Sequence, residues 1–281
     1  MSQCILITGC SSGIGAALAR EFHRRGHTVY ATARRADSLA ALAKEGLRTL
    51  TLDVNDDASI AAALAVVQAQ QGRLDMLVNN AGFSQVGAVM DLRREDLRRQ
   101  YETNVIAPMA VARAALPLLR AGPGGVIVNI GSIVGVFTTP FAGAYCSSKA
   151  ALHALSDALR MELAPFRIRV VTVQPGGVQS SFGHYAEAAI QLPADSLYRG
   201  VEQGIRARAQ AGQQGATPTE AFVVPVVDAL LRGTPPLRLR GGKGSTLLPL
   251  LKALLPTRRF DAILSRRFGL AGWTPGKPAP R

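Results

Sequence analysis

Short apolar runs and helical segments alternate along most of the chain. Residues 4–8 form an apolar run of strand length, and an alanine-rich helical pattern follows up to Gly26. The alternation recurs, which predicts a parallel sheet with right-handed crossovers and helices on both faces. Further strands are predicted at 27–32, 74–79, 125–130, 167–173 and 237–240, with one more ending at residue 53, and helices at 58–71, 93–119, 143–164 and 217–232.

Length and composition favour one domain with a short extension. The 281 residues, 48% of them hydrophobic, suffice for one large α/β domain. We expect a doubly wound domain over residues 1–240, with a seven-stranded, mostly parallel sheet, and a basic helical extension over 241–281. Residues 181–215 show little regularity and follow a strand end, so they are predicted to form a lid. A capping box at 217–220 is predicted to start the next helix.

The net charge of +13 is concentrated at the C-terminal end. Residues 235–281 hold ten Lys or Arg and a single acid, Asp261, so the rest of the chain is only mildly basic. Nucleic acid is therefore not an expected partner. Residues 246–268 interleave leucine and phenylalanine with basic side chains, which leaves two alternatives open. The segment lies on an anionic membrane, or it folds back over the substrate mouth or a partner subunit.

Three cysteines, without C-x-x-C spacing, indicate neither a disulfide framework nor a zinc site, so we expect no metal and a reducing compartment. No apolar run reaches the ~18 residues of a membrane span, and no signal peptide precedes the first strand. We expect a cytoplasmic protein, with peripheral membrane association left open by the basic tail.

A glycine-rich loop lies between the first strand and the first helix. Its glycines let backbone N–H groups approach a pyrophosphate, and the positive end of the helix dipole favours the negative charge. The spacing G-x-x-x-G-x-G of residues 9–15 departs from the commoner G-x-G-x-x-G. A flexible turn without a ligand is the alternative.

Tyr145 and Lys149 stand one helical turn apart on a predicted helix face. A nearby ammonium favours the phenolate, which brings the tyrosine pKa towards a range useful for acid–base catalysis. Such a tyrosine can give a proton to a carbonyl oxygen or take one from an alcohol. The alternative is an ordinary helix with one aromatic and one surface lysine.

Several motifs in order resemble those of the short-chain dehydrogenase/reductase family. They are T-G-x-x-x-G-x-G at residues 8–15, N-N-A-G at 79–82, Asn104, Ser132 thirteen residues before Tyr145, Tyr145 with Lys149, and Pro175-Gly176, which together cover about the first 180 residues. The resemblance implies a Rossmann-type fold and hydride transfer between nicotinamide and a carbonyl or carbinol carbon.

The resemblance also implies residue roles. Tyr145 moves the proton, Lys149 holds the nicotinamide ribose and lowers the Tyr145 pKa, Ser132 binds the substrate oxygen, and Asn104 positions a water next to Lys149. Ser180 stands where the family usually has a threonine that contacts the carboxamide. The implied cofactor contacts are Gly9, Ser11, Ser12, Gly13, Ile14, Gly15, Arg34, Asp53, Val54, Asn80, Ala81, Gly82, Tyr145, Lys149, Pro175, Gly176, Val178 and Ser180.

The end of the second strand predicts which cofactor is bound. An acid there would accept hydrogen bonds from a free 2′-hydroxyl, but the chain has Ala33 followed by Arg34 and Arg35. A guanidinium can bind a 2′-phosphate, so NADP(H) is favoured over NAD(H). Solvated surface arginines are the alternative. Asp37, the other candidate acid, is interpreted as a helix N-cap.

The substrate is expected to be a small lipophilic alcohol or ketone, steroid-, retinoid- or acyl-like, as in the steroid and retinol dehydrogenase branch that the pattern resembles. The predicted pocket consists of Ser132, Phe137, Phe141, Tyr145, Phe182 and Tyr185, with core packing of the aromatics as the alternative. A homodimer or homotetramer is implied by the resemblance. A catalytically silent NADP(H)-binding sensor or scaffold is the rival function.

Overall fold

The computed structural model describes residues 2–274, which contain a seven-stranded sheet. The sheet order is β3-β2-β1-β4-β5-β6-β7 and all six strand pairings are parallel, which confirms the predicted fold class. The strand order reverses between β1 and β4, so a crevice opens at the carboxyl ends of these two strands. The strands are β1 (Cys4–Ile7), β2 (Thr28–Ala33), β3 (Arg48–Thr51), β4 (Met76–Asn79), β5 (Val126–Ile130), β6 (Arg169–Pro175) and β7 (Arg238–Gly241).

Helices cover both faces of the sheet, as the alternating pattern predicts. They are α1 (Gly13–Arg24), α2 (Ala40–Lys44), α3 (Asp57–Gln71), α4 (Arg94–Tyr101), α5 (Ala107–Arg120), α6 (Gly143–Leu163), α7 (Phe182–Ala188), α8 (Glu202–Gln210), α9 (Thr219–Leu230), α10 (Leu247–Leu254) and α11 (Thr257–Arg267).

Both faces of the central strands are buried, which explains why those strands are mostly apolar. In β1, Ile5 and Ile7 join a core cluster with side chains of α1 and α9. Leu6 joins a second cluster with side chains of α3 and α5 on the opposite face. Successive residues of a strand point to opposite faces, so a strand between two helical layers favours apolar residues on both faces, and the buried Asn79 and Asn129 are hydrogen-bonded to each other.

Three details differ from the sequence prediction. The helix expected at 93–119 is divided into α4, a π-helix at Glu102–Ile106 and α5. The predicted capping box is wrong, because α9 has Pro218 at its N-cap and no side chain caps its first turn. Residues 181–215, for which the lid is predicted, are more regular than expected, since they contain α7 and α8.

The C-terminal helices fold back onto the body. Phe260, Leu264 and Phe268 of the α11 region are buried in a third apolar cluster together with Phe137 and Phe141. This packing matches the fold-back alternative for the basic tail. The expected boundary at residue 240 falls inside β7. Within residues 2–274, no helix has the length and apolar character that crossing a membrane would require.

Candidate active site

The loops that follow β1 and β4 are joined by hydrogen bonds at the crevice. The Thr8 hydroxyl accepts from the backbone N–H groups of Asn80 and Ala81 at 3.0 and 3.1 Å. The Asn80 side-chain amide donates to the carbonyls of Thr8 and Gly9, each at 2.9 Å. Asn80, a predicted cofactor residue, therefore holds the glycine loop in place.

The glycine loop has a shape that only glycine permits at several positions. Gly9 and Gly13 have φ values of 73° and 59°. A Cβ at Gly15 would lie 2.3 Å from the Asn80 Nδ2 and 2.4 Å from the Gly9 carbonyl oxygen. The Ser12 side chain does not cap α1 and the first turn of α1 holds no acid, so its N-terminal amides can bind an anion. The residues present therefore fit the pyrophosphate of a dinucleotide.

A cavity of about 240 Å³ lies beside this loop and reaches the end of β6. Its lining includes Ser11, Ser12, Gly13 and Ser180. A Cβ at Gly13 would lie 3.1 Å from that of Ser180, and the Ser180 N–H donates to the Gln213 Oε1 at 2.9 Å. The segment after β6 is thus fixed next to the glycine loop, as the motif order predicts.

The end of β6 is packed backbone to backbone. The Gly176 N–H donates to the Gly241 carbonyl, and a Cβ at Gly176 would lie 2.2 Å from the Lys243 carbonyl oxygen. Pro175 is the last residue of β6 and Val178 is 4% exposed. Glycine at 176 is required by this close approach.

The two arginines after β2 lie near the glycine loop. The Cys10 N–H donates to the Thr32 carbonyl at 2.8 Å, which brings the loop against the end of β2. Arg34 and Arg35 are exposed, and neither forms an ion pair within residues 2–274. Both guanidinium groups are therefore available to an anionic ligand.

Two acids lie near this region: Asp37, predicted to be a helix N-cap, and Asp53, predicted to contact the cofactor. Asp37 lies inside a 3₁₀ helix at Ala36–Leu39 and is not the N-cap of α2, so that interpretation is wrong. Asp56 is the N-cap of α3, which leaves the neighbouring Asp53 free of that task. The Asp53 Oδ1 accepts from the Asn55 N–H at 3.0 Å, and Val54 is 8% exposed.

Tyr145 and Lys149 lie one helical turn apart near the start of α6, next to the end of β5. The Lys149 Nζ is 5.9 Å from the centroid of the Tyr145 ring and donates to the Ile130 carbonyl at 2.7 Å. Ser132 follows β5, and its Oγ accepts from the Val134 N–H at 3.3 Å. The three side chains therefore meet at the carboxyl end of the sheet.

The pKa values differ from the expectation for the tyrosine. Burial raises the pKa of Tyr145 to about 12, against the lowering effects of hydrogen bonding from Ser132 and of the Arg208 charge. Burial also lowers the pKa of Lys149 to about 8. Among the protein groups, desolvation of the phenol therefore outweighs the influence of nearby cations.

Asn104 lies in the π-helix and is almost fully buried. Its Nδ2 donates to the Phe83 carbonyl at 3.0 Å and to the Ser148 Oγ at 3.2 Å. A Cβ at Gly82 would lie 3.1 Å from the Asn104 Oδ1 and 3.8 Å from the Lys149 Nζ. Asn104 is thus brought next to Lys149, and its role with a water stays a prediction.

The predicted pocket residues separate into three groups. The centroids of the Phe182 and Tyr145 rings lie 5.7 Å apart, so Phe182 packs next to the Tyr145 ring. Phe137 and Phe141 are buried in the third cluster, so core packing describes them better than pocket lining. Tyr185 is 65% exposed, and the structure does not bring it into the cleft.

Sequence reasoning missed two residues near the site. The His153 Nε2 accepts from the Ser132 N–H at 3.4 Å, and the spacing of four residues from Lys149 could have indicated it. Arg208 is only 9% exposed and lies on the buried face of α8 with Ile205 and Ala209. A charged residue at a helix position where the pattern expects an apolar one is the sequence signal that could have identified Arg208.

Comparisons with known proteins match most of the chain. A family model described as short chain dehydrogenase matches residues 3–190. The chain is 35% identical over 278 residues to the short-chain dehydrogenase cctT of Talaromyces islandicus, covering 96% of each chain. It is 42% identical over 202 residues to the NADPH-dependent 1-acyldihydroxyacetone phosphate reductase of Schizosaccharomyces pombe, covering 69% of this chain and 67% of the relative. A crystal structure of a short-chain dehydrogenase from Streptomyces avermitilis is similar with a TM-score of 0.78 and 31% identity, covering 98% of this chain and 99% of that one.

Proposed function

The chain belongs to the short-chain dehydrogenase/reductase family and is an oxidoreductase, and from this premise we propose that it interconverts lipophilic ketones and alcohols with NADP(H). The observation that carries the proposal is the meeting of Ser132, Tyr145 and Lys149 beside a glycine loop shaped for a pyrophosphate. Ser132 and Tyr145 carry hydroxyl groups that can donate to a carbonyl oxygen, and Lys149 carries a positive charge, as carbonyl reduction requires.

The cofactor would be held by residues that follow three strands, β1, β2 and β5. The amides at the start of α1 would bind the pyrophosphate, Arg34 would bind the 2′-phosphate, and Tyr145 with Lys149 would bind the nicotinamide ribose. When bound, NADPH supplies the hydride. Arg34 and Arg35 are exposed and form no ion pair within residues 2–274, which supports the phosphorylated cofactor. The name of the NADPH-dependent relative from Schizosaccharomyces pombe supports it as well.

Proton transfer falls to Tyr145. With a pKa of about 12 the phenol is protonated at neutral pH, so it can give its proton to a carbonyl oxygen. The Ser132 hydroxyl hydrogen-bonds to Tyr145, so a carbonyl oxygen placed next to Tyr145 can also accept from Ser132. Lys149 is buried and positively charged at pH 7, and that charge favours the phenolate that forms.

A lipophilic substrate, steroid-, retinoid- or acyl-like, is supported by the surface around the cleft. Val89 lies against the start of α6, since a Cβ at Gly143 would be 2.5 Å from its Cγ2. The Ser196 hydroxyl donates to the Asp91 carboxylate at 2.7 Å, which joins the lid to the same segment. Val89, Met90 and Leu197 are exposed by 53%, 80% and 72%, so these two joined segments present apolar side chains near the start of α6.

The test of the proposal is Tyr145→Phe, assayed with a panel of ketones and alcohols by nicotinamide absorbance. We expect kcat/KM to fall by about 10²–10⁴-fold because the proton donor is lost. NADPH affinity, followed by fluorescence, should change by no more than about threefold. A threefold change corresponds to about 0.7 kcal/mol in binding free energy. Tyr101→Phe on α4 is the matched control and should keep wild-type rates. Unchanged reduction rates in Tyr145→Phe would refute the proposal.

The cofactor preference has its own test. Arg34→Ala should weaken the preference for NADPH over NADH by about tenfold or more, because one charge-assisted contact is worth about 1.5–3 kcal/mol. Arg35→Ala, compared in the same assay, shows which guanidinium makes the contact. Equal use of both cofactors by the wild-type enzyme would contradict the assignment.

Assembly and location extend the proposal. We propose a homodimer or homotetramer, which sedimentation velocity would measure, and a cytoplasmic enzyme, for which the three free, buried cysteines are the support. The division into a catalytic domain over 1–240 and an extension over 241–281 stays a prediction.

A further inference from the structure

Arg208 is a buried cation without a counter-ion. It is 9% exposed, and no carboxylate of residues 2–274 lies within 4.0 Å of it. Its Nε donates to the Thr139 hydroxyl, and its Nη groups donate to no other group in the described part of the chain. A buried charge without a partner costs several kcal/mol, so the position is expensive for stability alone.

The carboxylates on the neighbouring lid helices have other partners. Glu202 of α8 pairs with Arg206 at 2.7 Å, and Glu187 of α7 accepts from the Gln210 amide at 2.6 Å. Both acids are therefore occupied by groups other than Arg208. An outside anion remains the natural counter-ion for this guanidinium.

Arg208 is also close to the reacting group. Its charge lowers the pKa of Tyr145, so the guanidinium lies within electrostatic range of the phenol. Thr139, to which it is anchored, belongs to the loop between β5 and α6 that carries Ser132 at one end and Tyr145 just beyond the other. The anchored Nε leaves the two Nη groups to form a fork suited to an oxyanion.

From this geometry we infer that Arg208 is a specificity-determining residue that binds a carboxylate or phosphate group of the substrate. The inference rests on the proposed function and narrows its substrate class from lipophilic carbonyl compounds to anionic amphiphiles. Such a molecule would place its carbonyl at Tyr145 and its acidic group at Arg208, and its apolar part would contact exposed apolar side chains such as Val89, Met90 and Leu197.

The activity test compares keto acids of increasing length, from 3-oxobutanoate to 10-oxoundecanoate, with their methyl esters, in the presence of NADPH. We expect at least one acid to exceed its ester in kcat/KM by about tenfold or more. Arg208→Met should lower kcat/KM for that acid by about 10- to 100-fold and for the ester by less than about threefold. Arg208→Lys should recover part of the preference because the charge is kept.

Arg206→Met is the matched control. It removes the same charge from an exposed position of the same helix, where Arg206 pairs with Glu202. We expect it to leave the acid-to-ester ratio unchanged. An equal loss on acid and ester in Arg208→Met, or an ester preferred by the wild-type enzyme, would overturn the inference and assign Arg208 to lid anchoring.

A binding test separates this inference from the proposed function. Decanoate and decyl phosphate should raise the melting temperature of the NADPH-bound wild-type protein and of Arg206→Met, but not of Arg208→Met. Methyl decanoate should act alike on all three proteins. If no ketone is reduced but the anions still bind through Arg208, the proposed reaction fails and the site stands. If ketones are reduced and neither anion binds, the site fails and the reaction stands. The two anions compared with each other distinguish carboxylate from phosphate.

Discussion

His153 makes the protein sensitive to acid through one buried imidazole. Its ring fills the space beside two glycines, since a Cβ at Gly131 would lie 2.3 Å from Nε2 and one at Gly135 would lie 2.5 Å from Cε1. Both polar neighbours are amides: the Ser132 N–H donates to Nε2, and the Gln174 side chain is 3.5 Å from Nδ1. A proton on Nε2 would break the hydrogen bond from Ser132.

The pKa of His153 is lowered to about 4, first by burial and then by the charges of Lys149, Arg238 and Arg240, which Asp157 opposes. Between pH 6.5 and 4 the unfolded chain therefore binds a proton here that the native protein does not. Stability consequently falls as the pH falls through this window. Through His153 the free energy of unfolding therefore falls by about 2 kcal/mol between pH 7 and pH 4.5. Each pH unit between the pKa values of the unfolded and native states contributes about 1.4 kcal/mol.

The perturbation that isolates this effect is His153→Gln. Glutamine cannot be protonated, and its amide oxygen can accept the Ser132 N–H. Urea unfolding followed by circular dichroism at pH 7 and pH 4.5 gives the free energy of unfolding of each protein. We expect wild type to lose about 2 kcal/mol more than His153→Gln over this interval, since all other acids are common to both proteins.

His184→Gln is the control for this experiment, because His184 is exposed on α7. It should lose the same free energy as wild type between the two pH values. Equal losses in wild type and His153→Gln would refute the reasoning, because they would show that the native protein accommodates the His153 proton without penalty.

The remaining predictions concern the glycine loop and the tail. Gly15→Ala should abolish NADPH binding in a fluorescence titration and lower stability by about 1–3 kcal/mol, because its Cβ would meet the Asn80 Nδ2 and a backbone oxygen. Gly212→Ala, whose Cβ would meet no atom within 4 Å, should leave NADPH binding unchanged, and binding by Gly15→Ala as tight as wild type would contradict the fit. The tail exposes Leu250 and Leu254 of α10 by 49% and 70%, so the double change to glutamate should reduce sedimentation with anionic liposomes several-fold if this face contacts a membrane. Equal sedimentation of both proteins would end the membrane hypothesis. Removing the tail is a poor test, because the loss of Phe260 and Phe268 would leave the third cluster incomplete.

Much of the fold is encoded locally. The central strands are mostly apolar because helices cover both their faces, and that pattern is visible in the sequence. The glycine loop and the Tyr145–Lys149 pair are also local, because a turn and a helical spacing place their groups without help from distant residues. Parallel strands then bring the motifs to one edge of the sheet.

The tertiary structure decided what depends on contacts between distant segments. The pKa of Tyr145 is raised because the phenol is buried, and the spacing of residues in the sequence does not reveal burial. Tail helices fill the cluster around Phe137 and Phe141, so aromatics assigned to the pocket proved to be core. Likewise, Arg208 stands 63 residues after Tyr145 in the chain, and only the docking of α8 against the loop before α6 brings its charge to the active site. Burial and long-range electrostatics are properties of the folded whole, so the sequence determined the framework and the fold decided the chemistry of its interior.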